Sequence, residues 1–179
     1  MALAGQLDQL NHERKQMQEQ MQQQAMVQVK EITASLQSSE LPSALCLFDP
    51  DWHQGIVGLV ASRVKDAVHR PVFAFAPESD GAELVKGSAR SVRGLHIRDV
   101  LAHVDAHNPG LMQGFGGHAM AAGLTLHLEG LETFRAALPA SVQAILNGAE
   151  LNNEIHTDGP LLPAELGLES ALALEGLGP

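Results

Sequence analysis

Gly114-Phe115-Gly116-Gly117-His118-Ala119-Met120-Ala121-Ala122-Gly123 is the stretch on which the reading of this chain turns. Adjacent glycines leave backbone amides unshielded and permit conformations with φ > 0. A histidine follows at once, and the small residues behind it let neighbouring backbone approach closely. Two readings fit. The run is a tight turn between two elements with a hydrogen-bonded histidine, or it is a cradle for an anion, a phosphate or a carboxylate.

The surroundings bear on that choice. Asp51-Trp52-His53-Gln54-Gly55-Ile56-Val57-Gly58 lies between an expected strand and helix, and Gly55 at the helix start would expose free amides to an anion. His53 either caps its own loop or lines the same site. Lys86-Gly87-Ser88-Ala89-Arg90-Ser91 offers a cation, bare backbone, two hydroxyls and a guanidinium. Ser88 and Arg90 are two apart, so a strand points both to one face. Arginine there can grip a phosphate through two parallel hydrogen bonds. From Leu84 to Arg98 stand Lys86, Arg90, Arg93 and Arg98 with no acidic residue, a positive island in a chain of net charge -10.

Outward from these segments the pattern is α/β. Leu45–Phe48 and Pro71–Ala76 read as buried strands, and Leu84–Ser91 as a third. Helices are expected from Gly55 to about Val68, over Ile97–Ala106 and over Leu131–Leu146, the last ended by Asn147-Gly148. Leu124–Leu128 alternates and reads as another strand. Strands alternating with helices predict a helix-covered mixed sheet. A long amphipathic helix precedes it, from about Leu3 to Leu36. Its stripe is Leu3, Leu7, Leu10, Met17, Met21, Ala25, Val29, Ile32 and Leu36. Such a helix needs a partner surface. After Glu150, residues Glu154–Gly159 read as strand and turn, followed by a leucine-rich helix to Leu174. Both ends look cut, so the expectation is an excised piece.

Composition bounds the function. The 179 residues are 45% hydrophobic, enough for a proper core. Net charge -10 argues against broad electrostatic wrapping of nucleic acid, though not against a local basic groove. The lone Cys46 sits in an apolar run and forms no disulfide within the chain. No signal peptide and no membrane-length apolar run is present, and a cytoplasmic setting is expected. His103 and His107, with Asp99 a turn earlier, have a metal-compatible spacing, but helix-end histidines are commoner.

The segments His53–Gly58, Lys86–Ser91 and Gly116–Gly123, in this order, resemble the DHH-associated domain of the RecJ single-strand-specific DNA exonucleases. The Leu10-Asn11-His12-Glu13-Arg14 helix resembles the connector of that family's core, and Thr157-Asp158-Gly159 the start of its OB fold. The resemblance implies a connector helix over 1–40, a DHH-associated domain over 41–150 and a partial OB-fold domain over 151–179. It implies the substrate-binding half of a 5′-to-3′ single-stranded-DNA exonuclease acting in DNA repair and recombination. Mg²⁺ or Mn²⁺ would be held by an Asp-His-His motif that this chain lacks, so the fragment alone would bind no metal and be inactive. His118 would stabilise charge at a reacting phosphate, while Ser88, Arg90, Gly116, Gly117, His53, Gly55 and Arg93 would bind substrate phosphates. Expected partners are single-stranded DNA, the missing DHH and OB-fold domains, and a single-strand-binding protein, with no membrane. Two other readings stand beside this one. One is a domain of a small-substrate phosphodiesterase or oligoribonuclease. The other is an RNA-binding module like the C-terminal domain of alanyl-tRNA synthetase.

Overall fold

A computed structural model describes residues 2–35, 42–79, 81–149, 151, 159–160 and 162–176. The elements are helix α1 (Ala2–Ser35), strand β1 (Leu45–Phe48), α2 (Val57–Val68), β2 (Val72–Pro77), β3 (Leu84–Arg90), α3 (Ile97–His107), β4 (Met112–Gly117), β5 (Ala121–His127), α4 (Leu131–Leu146) and α5 (Leu168–Glu175). The strands form one sheet in the order β1-β2-β3-β5-β4. Only β1 and β2 run parallel, as the intervening α2 requires. The other neighbours are antiparallel.

Alternation along the strands sorts the core into two layers. Cys46, Phe73, Phe75, Val85, Ala89, Leu124 and Leu126 pack on α3 and α4. Leu45, Leu47, Val72, Ala74 and Ala76 point the other way, to α2 and α1. β2 is buried on both faces and accordingly reads as one apolar run. In the first layer Phe134 of α4 meets Phe73 and Phe75 edge-on, with ring centroids 5.5 Å away in each case.

Helix ends follow local chemistry. α2 stops at His69 and α4 at Asn147, both left-handed, and Gly148 follows Asn147 with φ 88°. The expected end of α4 is therefore met. The expected start of α2 is not: Gly55 lies in a turn, and the helix begins at Val57.

The partner surface for α1 is partly within the chain. Met21, Ala25 and Val29 are buried against α2 and β1. Trp52 donates its indole N–H to Gln24 Oε1 at 3.0 Å, and Gln28 donates to the Phe48 carbonyl at 2.9 Å. The N-terminal half of the stripe, Leu7, Leu10 and Met17, is exposed. No helix among the described residues is long and apolar enough to cross a membrane. Of the expected strand and turn at Glu154–Gly159, residues 154–158 lie outside the described residues, as does Leu36. The leucine-rich helix forms as α5, with Leu168, Leu172 and Leu174 exposed.

Cys46 gives the first prediction. Burial pushes its thiol up to about 12, against a smaller opposing pull from the Arg135 charge. Thiolate at pH 8 is then about 10³-fold scarcer than in a free cysteine. Alkylation of the native chain should be slower by at least that factor and become fast in urea. Rapid labelling without urea would contradict the packing of β1.

Candidate functional site

Lys86, Ser88 and Arg90 alternate with the buried Val85, Gly87 and Ala89, so they share the α2 face of β3. The Arg90 guanidinium lies along the first turn of α2. Its Nε donates to Ser62 Oγ at 3.1 Å, and its Nη1 to Ser88 Oγ at 2.8 Å and to the Ala89 carbonyl at 2.9 Å. Gly58 allows this approach: a Cβ there would stand 2.7 Å from Arg90 Nη2 and 3.0 Å from Ser88 Oγ. Among the described residues Arg90 has no carboxylate partner, and Nη2 has no hydrogen-bond acceptor. Burial lowers its pKa from the ordinary arginine value. Arginine stays protonated in proteins, so the result is a half-buried cation with two donors to spare.

Register carries the site across the sheet. Ser88 pairs with Gly123, which pairs with Gly116, while Lys86, Thr125 and Gly114 form the next row. Directly paired residues share a face. A Cβ at Gly114 or Gly116 would meet nothing within 4 Å, and at Gly123 only the Gly87 carbonyl at 3.9 Å. Beside Ser88 the sheet therefore presents bare backbone.

The Gly-Gly-His run is not a simple turn. Gly114, Gly116 and Gly117 belong to the edge strand β4, which glycines without apolar alternation conceal in the sequence. The turn itself is His118–Met120. His118 N–H donates to the Ala121 carbonyl at 2.8 Å, and Ala121 pairs with Arg90, so His118 stands at the Arg90 end of the sheet. Ser91 N–H donates to the Met120 carbonyl and Ile97 N–H to the Ala119 carbonyl, each at 2.9 Å. These bonds pin the hairpin to the residue after β3 and to the first residue of α3. The His118 side chain is exposed and has no hydrogen-bond partner among the described residues.

Other expected residues are placed differently. His53 Nδ1 accepts the Gly55 N–H at 3.1 Å, so the amide offered to an anion is occupied by its own loop. His53 and Gln54 instead line a cleft of about 680 Å³ between α1 and the ends of β1 and β2. Arg93 is exposed in the loop before α3. The positive island is weaker than its sequence, because Glu78 from the neighbouring strand end pairs with Lys86 at 3.0 Å. His103 Nδ1 meets Ser141 Oγ at 3.0 Å, His107 Nδ1 meets the His103 carbonyl at 2.8 Å, and the two rings stack. Among the described residues no three His, Cys, Asp or Glu side chains gather as a metal site. Ser62 is a site residue that sequence reasoning does not find: a serine inside an apolar helix period gives no signal of an arginine 28 residues away.

As a sequence family, the DHHA1 domain matches residues 27–144. This chain belongs to the DHHA1 domain family. The match takes in β1 to β5, α2, α3 and most of α4, so the Arg90 cluster and the glycine-lined sheet are parts of a DHHA1 domain. The single-stranded-DNA-specific exonuclease RecJ of Salmonella typhimurium is 46% identical over 99% of the chain, and that of Escherichia coli 45% over 99%. The chain spans 30% of the length of each. Among solved structures, RecJ in complex with Mn²⁺ from Thermus thermophilus superposes with a TM-score of 0.64 at 30% identity. That match covers 80% of this chain and 19% of the other. A second structure, exonuclease RecJ bound to manganese, also gives 0.64, at 29% identity over 84% of this chain and 34% of its own. The mixed α/β architecture of this DHHA1 domain is thus that of the corresponding RecJ region.

Proposed function

We propose that this chain is the phosphate-gripping wall of a RecJ-type 5′-to-3′ single-stranded-DNA exonuclease, working in DNA repair and recombination. The observation that carries the reading is Arg90: a half-buried guanidinium, held on one side by Ser62, Ser88 and the Ala89 carbonyl, with no acceptor at Nη2 among the described residues. A phosphate oxygen supplies both the missing acceptor and the missing charge. Ser88 supports the same phosphate, and bare backbone at Gly116 leaves the strand approachable. His118, exposed at that end of the sheet, serves as the contact to a reacting phosphate, where a donor stabilises developing charge. His53 and Arg93 belong to the periphery, as contacts to neighbouring phosphates along the strand, whereas Gly55, its N–H given to His53 Nδ1, has no amide to offer there.

In this reading residues 1–40 are a connector, 41–150 the substrate-binding domain and 151–179 the start of an OB-fold domain. Mg²⁺ or Mn²⁺ is expected in the intact enzyme, where it would supply the activated water. The described residues of this chain do not fit such an ion. The chain alone is expected to lack nuclease activity. A cytoplasmic setting goes with the single reduced cysteine, and a single-strand-binding protein is a natural partner for an enzyme using this substrate.

The test is an NMR titration of the chain at low salt with a short single-stranded oligonucleotide, with and without a 5′ phosphate. Shifts centred on Ser88, Arg90, Gly116, Gly117 and His118, weaker without the phosphate, support the reading; shifts elsewhere or none overturn it. His118→Ala should weaken this binding about threefold, as loss of one exposed hydrogen bond does, and leave the unfolding midpoint unchanged. Unaltered affinity would remove His118 from the site.

A further inference from the structure

We propose that Ser62 is a positioning residue, which fixes the Arg90 guanidinium so that Nη2 faces the substrate phosphate. This rests on the phosphate-grip reading of Arg90. Ser62 lies in the second turn of α2, one turn beyond Gly58. Its hydroxyl donates to the Gly58 carbonyl at 3.0 Å, which commits the proton to the helix backbone. The oxygen lone pairs are left for Arg90 Nε at 3.1 Å. The bond therefore has one direction, from arginine to serine.

The other anchors do not replace it. Ser88 Oγ and the Ala89 carbonyl both engage Nη1, the opposite edge of the fork from Nε. A planar guanidinium held only at Nη1 has both of its bonds at one corner, and its Nε–Nη2 edge is left without an anchor. Held at Nε as well, it is fixed in its plane, and the free donors of Nη2 point one way. The helix itself has no need of Ser62. A serine bonded back to the carbonyl four residues earlier is neutral or unfavourable within a helix, and alanine is the better helix former. The hydroxyl is therefore accounted for by what it does for Arg90.

The experiment uses this chain and the variants Ser62→Ala, Ser62→Thr and Arg90→Ala. It reads thermal unfolding, hydrogen exchange of the Arg90 Nε–H by ¹⁵N NMR, and binding of inorganic phosphate and of a 5′-phosphorylated oligothymidylate. Ser62→Ala should speed Nε–H exchange and weaken phosphate-dependent binding, each by about tenfold, the scale of one hydrogen bond to a charged group. Its unfolding midpoint should not fall. Ser62→Thr, which keeps the hydroxyl, should restore both. Wild-type exchange or wild-type affinity in Ser62→Ala overturns the proposal, as does a lowered midpoint that accounts for the lost binding. If Arg90→Ala loses binding and Ser62→Ala does not, the role of Ser62 falls alone. If Arg90→Ala binds like the wild type, the phosphate-grip reading falls and takes the role of Ser62 with it.

Discussion

Gly117→Ala should destabilise the chain by about 3 kcal/mol or more, through backbone strain and overlap together. Gly117 has φ 144°, a conformation open essentially to glycine alone. A Cβ there would also overlap the Ala121 carbonyl and the Cα of Ala122 on the adjacent strand. Neither obstacle is a flexible side chain, so the hairpin can only move away. It is held by the bonds of Ser91 and Ile97 to the turn, so movement would break its link to α3. Urea unfolding of Gly117→Ala against Gly114→Ala makes the comparison internal. Gly114 has open space where a Cβ would go, and its substitution should stay within about 0.5 kcal/mol of the wild type. Equal stability for the two variants would mean that the hairpin backbone is not as described.

Arg90→Ala should weaken binding of a 5′-phosphorylated oligonucleotide about a hundredfold, while changing stability by less than about 1 kcal/mol. The two effects separate because Arg90 has no carboxylate partner among the described residues to strand. Its protein contacts are two hydroxyls and a carbonyl, and Ser62 and Ser88 can turn to water when it is gone. Arg90→Lys should recover only part of the affinity, since an ammonium presents its three donors from a single nitrogen and cannot span the positions of Nε, Nη1 and Nη2. Calorimetric titration at low salt reads both variants. Wild-type affinity in Arg90→Ala would end the phosphate-grip reading.

Particular elements show what was legible in the sequence. Helices α3 and α4 lie within one residue of their expected bounds at each end, and α1 runs through its expected span as far as the described residues go, because apolar spacing and the Asn147-Gly148 stop reflect forces acting within a few residues. β1, β2 and β3 were legible as apolar or alternating runs. β4 was not: Gly114, Gly116 and Gly117 carry no side chain to alternate, and the strand exists because β5 pairs with it. β5 was expected from Leu124 but begins at Ala121, for the same reason of small residues. At the site, Ser88 and Arg90 were placed on one face by strand period alone, and the structure agrees.

The sequence by itself determined the layering of this protein, the face on which Ser88 and Arg90 stand, and the need for glycine near His118. Those follow from periodicity and from the conformational range of single residues. Only the tertiary structure decided which charges remain free. Lys86 is paired by Glu78 from a neighbouring strand end, and Arg90 is anchored by Ser62 from a helix packed across the sheet. These hydrogen-bonded contacts form at about 3 Å, and between residues far apart in sequence chain folding sets which groups come that close.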